Sequence, residues 1–245
     1  MATGIKAIVT GHSRGLGEGI AIALLDRGIP VLGVSRGANA ALAPRFNDTL
    51  EEEQVDLADA DAAGRWLSSG ALQRFFGGAS TAILVNNAGL LQPIGPLEKQ
   101  DPIAVWQATS VNVGAALALS AAFVQATERS DDRRILHISS GAGRKAYAGW
   151  SVYCATKAAL DHHARAVEKD RTRGLRICSL APGVIDTDMQ AEIRATTSDR
   201  FPEKERFVEM KRAGVLRNPE QVGRRAVDFL LDGSFGTEVI AELPR

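Results

Sequence analysis

The sequence predicts an α/β fold of the doubly wound type: one parallel sheet of about seven strands with helices on both faces, in a single domain over residues 1–245. Three observations carry that prediction. Short apolar runs alternate with helix-periodic segments along the chain. The run Thr81-Ala82-Ile83-Leu84-Val85 is apolar beyond its first residue, which suits a parallel strand buried on both faces. No repeat, low-complexity tract or linker interrupts the alternation, so one sheet can take every strand.

Bulk properties narrow the function. Hydrophobic residues make up 45% of the chain and charged residues 24%, enough apolar material for a sizeable core. Lys+Arg and Asp+Glu balance at 29 each, so no overall field favours nucleic acid or an anionic membrane, and neither is an expected partner. Cys154 and Cys178 make no disulfide framework and no zinc-type cluster, so no metal is expected. A strand pattern begins by Ile5, leaving no space for a leader, and the apolar run from Gly114 to Val124 falls short of a membrane span. A soluble, cytoplasmic chain is the expectation.

The first strand, Ile5 to Thr10, runs into the turn Thr10-Gly11-His12-Ser13-Arg14-Gly15-Leu16-Gly17 and a helix with apolar spacing from Leu16 to Leu25. Glycines there permit positive φ and let a pyrophosphate approach backbone N–H groups at a helix N-terminus. Gly11, Ser13, Arg14, Gly15, Leu16 and Gly17 are therefore candidate cofactor residues, with His12 expected in solvent. The same residues fit a G-x-S-x-G hydrolase elbow, but only ten residues precede Gly11, too few to supply the earlier loop of an oxyanion hole.

A second strand, Pro30 to Val34, ends in Ser35-Arg36. A basic residue at this point suits the 2′-phosphate of NADP, whereas NAD sites place an acid there. Arg14 can converge on the same phosphate, so NADP(H) is the expected cofactor; a pair of solvated arginines is the alternative. Residues 37–51 read as a loop and short helix, and Gln54 to Leu57 as the end of a third strand. Asp56 is open to two readings, an acceptor for an adenine amino group with Leu57 against the ring, or a cap for the helix starting near Asp59.

The fourth strand ends in Asn86-Asn87-Ala88-Gly89, small and amide residues able to tie loops together and leave room for a ribose, or a plain turn. Pro102 to Thr127 reads as a long helix, apolar nearly all round. It is expected to pack on the sheet and, with the helix 150–173, against a second subunit in a homodimer or homotetramer. Asn112 lies within it and needs a buried partner, a water or Lys157.

The fifth strand, Arg134 to Ile138, delivers Ser139 and Ser140, with His137 a core residue. Beyond a Gly-rich turn, Tyr153 and Lys157 are four apart on a helix, so they share a face. A phenol titrates near ~10 in water and needs a nearby cation to serve as an acid–base group at neutral pH. Lys157 can supply the charge, and Ser140 a hydroxyl for the same substrate oxygen. His162 and His163 read as structural. Leu175 to Leu180 is a sixth strand; Pro182, Gly183, Val184, Ile185 and Thr187 follow at its carboxyl end, where open α/β sheets bind ligands. Residues 189–214 read as a helical flap over the site, Pro219 to Leu231 as a closing helix and Thr237 to Ile240 as an edge strand. Tyr147, Trp150, Val184, Met189 and Phe207 are candidates for an apolar substrate pocket.

In order and spacing, the Gly turn Thr10–Gly17, Asn86 to Gly89, Asn112, Ser140, Tyr153, Lys157 and Pro182-Gly183 resemble the short-chain dehydrogenase/reductase family over nearly the whole chain. The resemblance implies a Rossmann-type fold and a small-molecule carbonyl substrate. It makes Tyr153 the proton donor, Ser140 a partner of the substrate oxygen, Lys157 the group that lowers the Tyr153 pKa and holds the nicotinamide ribose, and Asn112 the anchor of a relay water. Ser139 to Gly143, Gly149-Trp150, Tyr153 to Lys157 and Ala181 to Gln190 are most similar to the sepiapterin reductase and benzil reductase branch, which implies NADPH-dependent reduction of vicinal dicarbonyls. Sepiapterin reductases hold the pterin with a carboxylate near the C-terminus. Ala241 falls at that point with Glu242 beside it, which favours the benzil-like substrate. The competing class is a non-catalytic dinucleotide sensor, which needs the Gly turn and Arg36 but not the catalytic side chains; a serine hydrolase acting through Ser13 ranks third.

Overall fold

A computed structural model describes residues 4–244; the expected domain's outermost residues, 1–3 and 245, lie outside them. Among the described residues the strands β1 (Ile5–Thr10), β2 (Val31–Ser35), β3 (Leu50–Gln54), β4 (Thr81–Asn86), β5 (Asp132–Ile138), β6 (Leu175–Ala181) and β7 (Ile240–Glu242) form one sheet. The order is β3-β2-β1-β4-β5-β6-β7, and every pairing is parallel. The chain therefore winds outward from β1 to one edge, returns to lay β4 beside β1, and winds to the other edge.

Alternation along the strands assigns the two faces. Ala7, Val9, Ile83, Val85, Leu136 and Leu180 pack with Ile20 and Leu24 of α1 (Gly15–Leu25) and with Val222 and Leu230 of α9 (Pro219–Leu231). Ile8, Leu32, Leu84, Ile135 and Ile177 face the opposite layer. Trp66 of α2 (Ala60–Leu67), Phe76 of α3 (Ala71–Phe76), Leu119 and Phe123 of α5 (Ala116–Ala126) and Ala164 of α6 (Ser151–Lys169) cover them. Ile20, Leu24, Leu84 and Phe123 have no exposed surface, and each such side chain contributes roughly 1.5–3 kcal/mol by leaving water.

Several expected elements shift. The third strand is Leu50–Gln54 rather than a run ending at Leu57. As a sheet edge, half in solvent, it tolerates Glu51, Glu52 and Glu53, which carry no apolar signal. Residues 37–49 are turns without a helix, and the last strand begins at Ile240. The helix over 102–126 is continuous but is widened by a π turn, Ser110–Ala115, between α4 (Pro102–Thr109) and α5. It is long and apolar enough to cross a membrane, contrary to the shorter run read from sequence, yet Ala108, Asn112, Leu119 and Phe123 bury one side of it within this fold. The flap segment contains α7 (Asp188–Ala195) and α8 (Lys204–Arg212).

Glycines set the contact between α1 and α9. A Cβ on Gly223 would stand 2.3 Å from the Gly19 carbonyl carbon, closer than packed atoms allow. Gly223→Ala is therefore expected to lower stability by about 1–3 kcal/mol through overpacking. Exposed Gly64 of α2 has nothing within 4 Å of that position, so Gly64→Ala is expected to raise stability by up to about 1 kcal/mol. Thermal melts of the two variants check the pair; equal melting temperatures would contradict the packing described.

Candidate active site

At the carboxyl ends of the strands, where the sheet order reverses between β1 and β4, lies a cleft of about 1200 Å³. Gly11, Ser13, Arg14 and Gly15 line it, together with Ser35, Arg36, Asp56 and Leu57. Asn87, Ala88, Gly89, Thr187 and Met189 complete the set of expected residues there. Gly11 has φ +67°, a left-handed conformation that favours glycine. A Cβ on Gly17 would meet the Gly11 carbonyl oxygen at 2.1 Å, so the turn folds back on the helix more tightly than any other residue permits. Leu16 and Gly17 shape the turn from within the core.

The turn is fixed to the neighbouring strand by paired hydrogen bonds. Backbone N–H groups of Asn87 and Ala88 donate to the Thr10 hydroxyl, both at 3.0 Å, while Asn87 Nδ2 donates to the carbonyls of Thr10 (2.9 Å) and Gly11 (3.3 Å). Asn86 departs from expectation. It is buried away from this cleft, its Nδ2 donating to the Ser120 hydroxyl and to His137 Nδ1, each at 3.1 Å, because the alternation of β4 turns it to the other face. His137 in turn sits 3.0 Å from His163 Nδ1, and burial pushes its pKa down to about 3, so it is a neutral core residue.

One further expectation needs correction, and two loops make contacts the sequence did not show. His12 is fully buried, with Nε2 2.6 Å from Glu52 of β3. Arg14 lines the same cleft as Arg36 and pairs there with Asp188 at 3.1 Å, joining the Gly turn to the start of α7. Arg36 makes no ion pair among the described residues and remains exposed at the cleft. Pro182, Gly183, Val184 and Ile185 do not line the cleft. Arg217 holds that loop, donating to the Pro182 carbonyl at 3.2 Å and bridging to Ile185 through backbone. Asp56 lines the cleft and accepts from the Ala58 N–H, whereas Asp59 caps α2.

Ser140, Tyr153 and Lys157 do not line this cleft; Tyr153 and Lys157 project from α6, 8% and 4% exposed, with Lys157 Nζ 3.7 Å from where a Cβ on Gly89 at the cleft would stand. Lys157 Nζ donates to the Ile138 carbonyl at 2.7 Å and lies 5.6 Å from the centre of the Tyr153 ring. Burial pushes the Lys157 amine down to about 8, with Asp161 pulling the other way. The Tyr153 phenol is pushed up to about 12, first by burial, while the neighbouring Ser140 hydroxyl acts to lower it. The expected depression of the phenol pKa by Lys157 is thus absent: desolvating the phenolate outweighs an amine whose own charge is weakened by burial. Asn112, 1% exposed, makes no hydrogen bond to Lys157 among the described residues; its Oδ1 accepts from the Leu90 N–H (2.7 Å) and its Nδ2 donates to the Leu90 carbonyl (2.8 Å) and Thr156 (3.1 Å).

Against Tyr153 stands an aromatic wall. Trp150 is stacked on Phe201, centroids 4.5 Å apart, and lies within 5.6 Å of Tyr147, Tyr153 and Phe207. The candidates Tyr147, Trp150, Met189 and Phe207 are brought into one cluster, with Val184. Phe201, Leu91, Ile94 and Ile193 belong to it as well and were not anticipated, since apolar residues carry no chemical signal of a site. The segment 189–214 is tied down by Lys99 to Asp199 at 2.5 Å and by Arg200 to the Ile94 carbonyl at 3.3 Å. Among the described residues no group of three or more His, Cys, Asp or Glu is arranged to hold a metal.

The site's chemistry and the chain's relatives agree. Residues 6–198 match the short chain dehydrogenase family. A benzil reductase ((S)-benzoin forming) of Bacillus cereus is 35% identical over 91% of this chain and 92% of its own length. A sepiapterin reductase of Xenopus tropicalis is 29% identical over 92% and 91%. The crystal structure of a short-chain dehydrogenase/reductase from Burkholderia vietnamiensis, 48% identical, covers 97% of this chain and 96% of that one with a TM-score of 0.73. A tight glycine turn at the sheet's reversal, and a buried tyrosine beside a serine and a lysine, are what such enzymes need to bind a nicotinamide cofactor and act on carbonyl or alcohol groups of small molecules. The chain belongs to the short-chain dehydrogenase/reductase family.

Proposed function

We propose that the protein is an NADPH-dependent reductase that converts one carbonyl of a benzil-like aromatic 1,2-diketone to the alcohol. The observation that carries this reading is buried Tyr153, its phenol influenced by the Ser140 hydroxyl and its ring packed edge-on against Trp150 in a wall of aromatic side chains. The cleft's tight glycine turn leaves backbone N–H groups open to a pyrophosphate, and the unpaired Arg36 suits a 2′-phosphate. When bound, the nicotinamide supplies the hydride.

The chain's own groups do the rest. Tyr153, protonated at neutral pH, donates its proton to the substrate oxygen, and Ser140 hydrogen-bonds the same oxygen. Lys157 keeps a positive charge beside the phenol and holds the ribose. Asn112 fixes Leu90 next to Gly89 and so shapes the ribose wall. Trp150, Tyr147, Met189 and Phe207 receive the substrate's rings, with residues 189–214 acting as a flap that excludes water. A pterin substrate is disfavoured because Glu242 is taken up by Arg144 at 2.7 Å. Exposed Ile103 (66%) and Trp106 (75%) on α4 support a second subunit seated on this helix, in a homodimer or homotetramer.

Tyr153→Phe is expected to reduce benzil turnover by on the order of 10²–10⁴ while leaving NADPH binding, read by cofactor fluorescence, intact. Retained turnover would remove Tyr153 from its role. Arg36→Asp is expected to raise the KM for NADPH at least about tenfold and shift preference toward NADH, since one charge-assisted contact is worth about 1.5–3 kcal/mol; unchanged selectivity would count against the phosphate site. The charged form of Lys157 is the working one and exists below its pKa, so kcat/KM for benzil is expected to be level through neutrality and to fall as pH rises past about 8. A profile flat well above that value would contradict the role given to Lys157.

A further inference from the structure

Lys157 is a buried cation whose hydrogen bond goes to a neutral carbonyl, Ile138, and no carboxylate lies within ion-pair distance of it among the described residues. Such a charge is costly without a counter-charge close by. One turn further along α6, Asp161 is 2% exposed and closed in on three sides. Its Oδ1 accepts from the Ser179 hydroxyl of β6 at 2.6 Å and its Oδ2 from Arg144 Nε at 3.3 Å. The turn between Ser140 and Arg144 rests on the same stretch of helix: a Cβ on Gly143 would stand 3.0 Å from the Lys157 carbonyl oxygen and 3.1 Å from Asp161 Oδ2.

The other groups around Lys157 carry no charge at neutral pH. Tyr153 on α6 is protonated, His137 of β5 is neutral, and β6 turns Ser179 toward α6 and Cys178 to the opposite layer. Asn112 of the π turn does not titrate. The charges left are Asp161, Arg144, and Glu242 of β7 held beyond Arg144 at 2.7 Å. Asp161 is the group that acts to keep Lys157 protonated against its burial.

We propose that Asp161 is the counter-charge that keeps Lys157 an ammonium, and that Arg144, by sharing Asp161 with Glu242, sets how much of that charge Lys157 feels. Asp161 is a positioning residue in this scheme: it touches neither substrate nor cofactor and acts through Lys157. The inference rests on the assignment of Lys157 given above and extends it to what tunes the site's working pH.

Opposite signs make the inference testable. Benzil reduction with NADPH is followed as kcat/KM against pH for the wild type, Asp161→Asn and Arg144→Met, with circular dichroism and thermal melts confirming the fold of each. Asp161→Asn is expected to move the alkaline fall about one pH unit lower, and Arg144→Met to move it about one unit higher, because a neighbouring charge shifts a pKa by that order. Purely structural damage would lower the rates of both variants without moving the fall in opposite directions, and that result would overturn the inference, as would a shift of both the same way. If Asp161→Asn does not fold, Arg144→Met decides alone, with an unmoved or lowered fall contradicting the proposal. A wild type with no alkaline fall would instead overturn the assignment of Lys157 itself.

Discussion

A single hydrogen bond, from the buried Lys157 amine to the Ile138 carbonyl at the end of β5, is the constraint on which the site depends. It ties the first turns of α6 to the strand that delivers Ser140, and so sets Tyr153 within reach of that serine. Desolvation, not attraction between the amine and the phenol, dominates here. Both groups are held toward their neutral forms, the phenol near 12 and the amine near 8. The phenol is thereby kept protonated, as the proposed reaction requires, and an added charge alters the balance more in a buried site than it would in water.

The cofactor half of the cleft depends on rigid backbone. Thr10 and Asn87 lock the ends of β1 and β4 together across the point where the sheet reverses, and Gly17 lets the turn lie against its own helix. Behind the turn, His12 and Glu52 join it to the edge strand, while Asn39 reaches both the Ser13 carbonyl (3.1 Å) and Glu18 (2.8 Å). The loop that follows Arg36 is thus braced against the Gly turn.

Much of this was legible in the sequence, for identifiable reasons. Buried strands such as Thr81 to Val85 announce themselves by unbroken apolar composition, and Gly11, Tyr153 and Lys157 by spacing that local geometry translates directly into a turn or a helix face. What escaped was tertiary. The edge strand β3 is built of glutamates because solvent covers one side, and the burial of His12 depends on Glu52, forty residues away. The direction of the Tyr153 pKa follows from how completely the surrounding elements exclude water, which no spacing of residues reveals. Phe201 lies in a densely charged segment, and its stacking on Trp150 depends on how residues 189–214 fold back, which local sequence does not show.

The aromatic wall meets Tyr153 at Trp150, and the proposed reaction needs a carbonyl to fit between them. The most direct measurement is a crystal structure of the protein with NADP⁺ and benzil. The account predicts one benzil oxygen within about 3 Å of both the Tyr153 hydroxyl and the Ser140 hydroxyl, with a phenyl ring against Trp150 or Phe207. Benzil bound with both oxygens turned away from Tyr153, or the dinucleotide lying outside the cleft over Gly11 to Gly17, would contradict it.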